Sequence, residues 1–114
     1  MWEDRQIVPK DWVLLTTKPY NPDLNPAYGY LWWVNGYSDN WRPMEGQINT
    51  GLPKVGYFFG YGVPPDSYAA EGAFGQMIAV IPELDLVMVR NGGSEDYTER
   101  DIFPLLCDTV VEAP

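Results

Sequence analysis

The sequence predicts an α+β fold in which an antiparallel β-sheet is flanked by helices. Two short apolar runs, 76–81 and 86–89, are separated by Pro-Glu-Leu-Asp, which is the pattern of a β-hairpin. The aromatic segment 28–35, YGYLWWVN, has the composition of a strand. Apolar residues at helical spacing occur near both ends of the chain. The 114 residues are enough for one domain at most, which spans residues 1–114.

The first predicted element is a short helix over residues 9–17. Pro9 suits a first helical position, and Trp12 lies one turn away from Val8 and from Leu15. The following segment, KPYNPDLNPAYG, holds three prolines within eight residues and predicts an extended loop before the aromatic strand.

Residues 36–68 are rich in glycine, proline and aromatic residues and predict a long excursion with one short strand at 56–61. Neither strand of the hairpin alternates cleanly between apolar and polar residues, which predicts that both of its faces are covered by other parts of a protein. A terminal helix is expected over 102–112. Its N-cap is Thr98 or Asp101, and Asp101 is favoured because Pro104 fits only within a first turn.

Composition excludes several functions. The net charge of −9 argues against binding to a nucleic-acid backbone or an anionic membrane. The absence of histidine excludes a Ser-His-Asp triad and a His-ligated zinc site, and the lone Cys107 cannot form a disulfide or a thiolate metal site within the chain. No cofactor or metal is expected. The chain shows neither a signal peptide nor a membrane-spanning run, so its compartment is left open.

Three antiparallel strands with two helices can bury one face of a sheet but cannot easily bury both faces of the 76–89 hairpin. This mismatch predicts that the chain is a piece of a larger fold.

Three segments, RQIVPKDWV, YGYLWWVN and GAFGQMIAVIPELDLVMVRNG, together resemble the C-terminal part of the bacterial serine β-lactamase-like hydrolases. That family includes class C β-lactamases, D-alanyl-D-alanine carboxypeptidases, and related esterases and amidases. The resemblance covers nearly the whole chain and is weakest over 36–68. It implies an incomplete β-lactamase/transpeptidase-like fold.

The resemblance also implies a chemistry. Family members attack a carbonyl with the serine of a Ser-x-x-Lys motif, aided by a Tyr or Ser of a second motif, and hold the oxyanion between two backbone N–H groups. One of these groups lies at a third motif, often Lys-Thr-Gly, which Ala70-Glu71-Gly72 replaces here. Gly72 then permits close backbone approach and the Ala73 N–H becomes the oxyanion donor. Substrate contacts are implied for Glu71, Phe74, Gly75 and Gln76.

The third motif departs from the family pattern. Glu71 places a potential negative charge where the carboxylate of a β-lactam is normally received. This argues against a β-lactamase and favours an esterase, amidase or peptidase with a neutral or cationic substrate. The alternative is that Gly72 and Gly75 serve only a turn or a bulge at the start of a strand.

A larger departure is that no Ser-x-x-Lys and no Tyr-x-Asn occur. The triplet Ser38-Asp39-Asn40 matches a second motif of some relatives, but it follows the helix and the aromatic strand instead of preceding them, and such residues commonly form turns. Without a nucleophile the chain alone is expected to be inactive. Its expected partner is the complementary N-terminal part of the hydrolase, or a second copy through self-association.

Two other interpretations start from surface residues. A group of aromatic residues could stack on sugars and make the chain a non-catalytic binding module, although core or loop aromatics are more common; the group is Tyr37, Trp41, Tyr57, Phe58, Phe59 and Tyr61. Glu83 and Asp85 could be taken for a glycosidase carboxylate pair, but a solvated hairpin turn explains them better. The acidic residues Glu95, Asp96, Glu99 and Asp101 are explained in the same way, as a solvated turn before the last helix.

Overall fold

The computed structural model describes residues 2–38, 56–60, 62–92 and 99–112. Its class is α+β, as predicted, with a four-stranded antiparallel sheet in the order β1-β4-β5-β6 and a separate β2-β3 pair. In chain order the elements are α1 (Lys10–Thr16), β1 (Trp33–Val34), β2 (Tyr37–Ser38), β3 (Gly56–Tyr57), β4 (Tyr68–Gly72), β5 (Gln76–Ile81), β6 (Leu86–Arg90) and α2 (Glu99–Glu112).

The β5–β6 hairpin confirms the prediction made from its two apolar runs. The strands pair from Ile81↔Leu86 to Met77↔Arg90. A short 3-10 turn, Pro82–Leu84, connects them, and Asp85 closes it in the left-handed conformation at φ 49°. Asp tolerates this conformation better than most side chains do, which explains the turn chemistry of this segment.

Strand β4 lies outside the predicted elements. Its sequence, Tyr-Ala-Ala-Glu-Gly, lacks the β-branched residues that mark strands, yet all five residues pair with β5. The short strand predicted at 56–61 is reduced to β3, which pairs with β2 at the Tyr37↔Tyr57 and Ser38↔Gly56 positions.

The prediction of one strand over 28–35 is wrong. Only Trp33 and Val34 form β1, and Tyr28 pairs back onto Trp33 across a tight reversal. In that reversal the Gly29 N–H donates to the Trp32 carbonyl at 2.8 Å, and Leu31 is left-handed at φ 65°. The aromatic residues serve ring packing instead: Tyr28 meets Trp33 edge-on with ring centroids 4.8 Å apart.

The core lies on one face of the sheet, which we call the inner face. Ala69, Met77, Ala79 and Ile81 are buried there, in one cluster with side chains of the segment after β3 and of α2. The rings of Phe59 and Phe103 stack within this cluster with centroids 4.1 Å apart. Burial of such large rings stabilises this small fold.

Helix α2 starts earlier than predicted. It begins at Glu99, so Pro104 lies in the helix interior and not in the first turn. The proposed cap Asp101 is therefore a helical residue, and Thr98 lies outside the described residues. Because proline has no N–H, Pro104 leaves one helical carbonyl without its usual donor. The burial of Phe103 and Cys107 from the same helix in the core offsets this cost.

The opposite face of the sheet, the outer face, carries Ala70, Ile78, Val80, Val87 and Val89, which are joined by direct cross-strand pairing. Ile78, Val87 and Val89 are 42%, 63% and 61% exposed. The chain itself therefore leaves much of the outer face of the hairpin exposed, and its coverage by another part of a larger protein stays a prediction. The N-terminal arm approaches the sheet near Tyr68 and borders a cavity of about 410 Å³ whose lining includes Ile7, Val8 and Val13.

Candidate functional site

The six residues that the resemblance assigned to a site, Glu71 to Gln76, lie together at one end of the sheet. Gly72 ends β4 and pairs directly with Gln76, the first residue of β5. Ala73–Gly75 form a 3-10 turn between them. Ala73 is thus the first residue after β4, so its N–H stands at the end of a strand.

This end of β4 projects beyond its neighbour β1. The β1 pairing covers Tyr68 and Ala69 only, whereas the β5 pairing continues to Gly72. Among the described strands, the side of β4 that faces β1 is therefore covered only at its start.

Both glycines of the turn have a steric reason. A Cβ on Gly72 would lie 3.1 Å from the Gln76 Cβ, closer than ordinary van der Waals contact. Gly75 has φ 80°, which glycine adopts without strain. The steric needs of the turn therefore explain both glycines. This explanation does not conflict with a role in substrate binding, because the same glycines leave the backbone without side chains.

Phe74 is the unusual residue of this turn. Its backbone is left-handed at φ 64° and ψ 31°, although a bulky side chain disfavours that region. Its side chain is 67% exposed. Residues keep such conformations only where the surrounding structure maintains them, and they occur frequently at functional sites.

The resemblance implies that Gln76 contacts substrate, but in the structure its side chain forms hydrogen bonds with the protein backbone. The Nε2 group donates to the Gly92 carbonyl at 2.5 Å, and the Gly92 N–H donates to Oε1 at 3.3 Å. Beside it on the outer face lies a groove of about 400 Å³, whose lining includes Ala70, Ile78, Val89 and Asn91. Glu71 is exposed and lines the same groove, as does Arg90.

Of the aromatic group considered as a sugar-binding platform, the structure describes the side chains of Phe58 and Phe59. Phe59 is fully buried, and Phe58 stacks on Trp33 with centroids 5.3 Å apart. Both rings therefore pack in or against the core. Trp41 and Tyr61, together with the side chains of Tyr37 and Tyr57, lie outside the described residues.

The structure describes the remaining candidate groups only in part. Ser38 lies in β2, and the other two residues of its triplet fall outside the described residues. Glu83 and Asp85 are exposed at the β5–β6 turn, as a solvated turn requires. Glu95 and Asp96, with the side chains of Glu99 and Asp101, are outside the described part as well.

Cys107 does not have the character of a nucleophile. It is buried in the core, and this burial raises the pKa of its thiol, with Asp108 and Glu83 adding to the effect. A thiol that stays protonated at neutral pH is a poor nucleophile.

Asn35 is a structural residue that sequence reasoning missed. Its buried Nδ2 donates to the carbonyls of Val63 and Pro64, and its Oδ1 accepts the Phe59 N–H. All three partners are more than twenty residues away in sequence, so no local pattern indicates that Asn35 is buried and hydrogen-bonded.

Within the described ranges, no group of three or more His, Cys, Asp or Glu side chains could hold a metal ion. In the same ranges, no helix has the length and apolar character needed to cross a membrane.

Comparison with known protein families, curated proteins and solved structures finds no match to this chain.

Proposed function

We propose that the chain is the C-terminal portion of a serine hydrolase that acts on ester or amide bonds through an acyl-enzyme. In it, β4 and the following turn supply the oxyanion strand and one wall of the cleft. The observation that carries the proposal is the end of β4, which runs past β1 and finishes at the Ala73 N–H.

The geometry suits a carbonyl substrate. An extended substrate lying along the end of β4 would place its carbonyl oxygen at the Ala73 N–H, which would donate to the oxygen as negative charge develops on it. Gly72 leaves space beside that oxygen, because it has no side chain. The second donor of an oxyanion hole would come from the nucleophilic serine itself.

The nucleophile must come from a segment that packs close to this turn. The outer face offers the surface for it, since exposed Ile78 and Val89 and the smaller Ala70 lie next to Gly72. Covering these side chains would be favourable by about 25 cal/mol per Å² of apolar area removed from water. The complementary N-terminal part of the hydrolase is the partner that this proposal requires.

The preference for neutral or cationic substrates is carried by the sequence alone, through the acidic Glu71 in place of the polar middle residue of Lys-Thr-Gly. Arg90 lines the same groove as Glu71, so the structure adds no further support for this preference. The alternative function, a small binding module that uses its aromatic loop, has less support because Phe58 and Phe59 pack with the core.

Complementation tests the proposal. The chain is mixed with a polypeptide that carries Ser-x-x-Lys and Tyr-x-Asn, taken first from any reading frame directly upstream of Met1. Hydrolysis of p-nitrophenyl acetate is expected from the mixture and from neither part alone. Labelling of a serine in this chain by a fluorophosphonate probe would contradict the proposal.

One variant pair makes the test specific to the oxyanion donor. Ala73→Pro removes the N–H, and Gly72, extended at φ −125° and ψ 165°, already has a conformation compatible with a following proline. We expect this variant to lower kcat about 100-fold in the active mixture, the usual effect of losing one oxyanion donor. Ala73→Ser keeps the N–H and is the control. Equal kcat for the two variants would contradict the assigned role.

A further inference from the structure

The side chain of Gln76 links two parts of the sheet that the backbone ladder does not join. The β5–β6 pairing ends at Met77↔Arg90. Beyond it, the Gln76 amide both donates to and accepts from the backbone of Gly92. One planar amide therefore takes the place of a backbone rung at the end of the hairpin.

Gln76 is equally close to the oxyanion turn. It follows Gly75 in sequence, and its backbone pairs with Gly72 at the end of β4. The turn between them holds two successive left-handed residues, Phe74 at φ 64° and Gly75 at φ 80°. A non-glycine residue keeps such a conformation only where neighbouring contacts impose it.

We infer that Gln76 is a positioning residue: its side-chain amide fixes the 73–75 turn to Gly92, two residues after the end of β6, and so sets the direction of the Ala73 N–H. The catalytic meaning of that direction rests on the proposed function. The pair of hydrogen bonds between the Gln76 amide and Gly92, which we call the clamp, does not depend on it. This assigns Gln76 a different role from substrate contact, because both ends of its amide are engaged by Gly92.

The two hydrogen bonds require a group that donates and accepts at once. Glutamine does so at any pH. An ionised glutamate in its place can accept from the Gly92 N–H but has no proton to give to the Gly92 carbonyl, whereas a protonated one can make both bonds. A Gln76→Glu variant should therefore have a clamp that strengthens as pH falls.

Amide hydrogen exchange of the whole chain tests this without any enzyme assay. The wild type, Gln76→Ala and Gln76→Glu are compared at pH 5.0 and 7.5, conditions chosen above the sequence pI of about 4.1. Rates are normalised to intrinsic exchange at each pH. We expect Gln76→Ala to lose about tenfold protection at Gly92 and Gly75 at both pH values, the usual effect of one lost hydrogen bond. Gln76→Glu should show a similar loss at pH 7.5 and regain part of the protection at pH 5.0.

Gln6→Glu is the matched control, since Gln6 donates to the Val8 carbonyl in the N-terminal arm, far along the chain from this turn. It should leave the turn unchanged at both pH values. Unaltered protection at Gly92 in both Gln76 variants would overturn the clamp, and loss at Gly92 without loss at Gly75 would overturn its effect on the turn. A uniform, pH-independent loss across 77–89 would also overturn it, because that pattern reports general destabilisation. Each outcome stands whether or not the chain is part of a hydrolase.

Discussion

Phe74 holds a left-handed backbone at the tip of the candidate site, where glycine would be free of strain. We compare Phe74→Gly with Phe74→Ala, since both remove the same ring and differ only in backbone freedom. Because alanine is strained at positive φ, Phe74→Gly should be more stable than Phe74→Ala by about 1 kcal/mol. Urea denaturation measures the difference. Equal stability would show that the residue is not left-handed in solution.

Cys107 gives the fold a dependence on alkaline pH. Burial raises the thiol pKa above its ordinary value of 9.0, so the folded state keeps its proton where the unfolded state loses it. The stabilising contribution is complete below the unfolded pKa and is lost as pH rises towards the folded pKa. Stability should thus fall above about pH 9.

The control for this prediction is Cys107→Ala, which removes the titrating group. Its stability should decline less between pH 8.5 and 10 than that of the wild type. Tyr68 adds a second alkaline decline, because burial and Asp66 raise its pKa above 10.0. Parallel stability curves for wild type and Cys107→Ala would contradict the assignment to the thiol.

At the scale of elements, Asn35 ties the end of β1 to the segments that carry Phe59 and Val63. Asn35→Ala would leave the Phe59 N–H and the carbonyls of Val63 and Pro64 without this partner in the interior. We expect a loss of about 3 kcal/mol in the free energy of unfolding, from several unsatisfied buried groups.

Asn25→Ala is the matched control for Asn35. The exposed Asn25 makes one local bond, from the Ala27 N–H to its Oδ1 at 2.9 Å, so its loss should cost about 0.5 kcal/mol. Similar values for the two variants, measured by chemical denaturation, would show that the Asn35 contacts contribute nothing specific.

How far the sequence predicts these elements depends on whether local chemistry decides them. The β5–β6 hairpin is predictable because apolar runs flank a Pro-Glu-Leu-Asp turn. Strand β4 is not, because Tyr-Ala-Ala-Glu-Gly becomes a strand only through its pairing with β5. The aromatic run at 28–35 has strand composition, yet Gly29 and the left-handed Leu31 reverse the chain.

The candidate site follows the same rule. Glu71 to Gln76 are contiguous, so their clustering at a turn could be predicted from the glycines. The role of the Gln76 amide could not, because its partner Gly92 is sixteen residues away and no local pattern marks the pair. The left-handed conformation of Phe74 likewise contradicts its local preference.

At the scale of the whole molecule, two apolar surfaces stand out as exposed among the described residues. One is the outer face, with Val87 and Val89 more than half exposed. The other is helix α1, which buries only Thr16 and exposes Trp12 and Leu14 by 53% and 60%. A short helix is not stable in water without tertiary packing, so α1 is expected to gain order when a partner covers it.

These surfaces predict how the isolated chain behaves. Monomeric proteins rarely expose contiguous apolar patches larger than a few hundred Å², and β6 also presents an edge, since within the described sheet it pairs with β5 alone. We expect the chain to self-associate at micromolar concentration or to melt at low temperature, and to gain stability when the complementary N-terminal part is added. The net charge of −9 slows association without removing its cause.

Sedimentation velocity paired with thermal melting measures both properties, and a Val87→Thr/Val89→Thr variant makes the test specific to the outer face. Threonine keeps the β-branched shape, so the sheet should persist while its exposed face becomes more polar. This variant should associate less than the wild type. Met88→Thr, on the inner face between the two valines, is the control and should lower stability without reducing association. A wild-type chain that sediments as a monomer and melts in one sharp transition would show that these residues complete their own core, and the proposed partner would then be unnecessary.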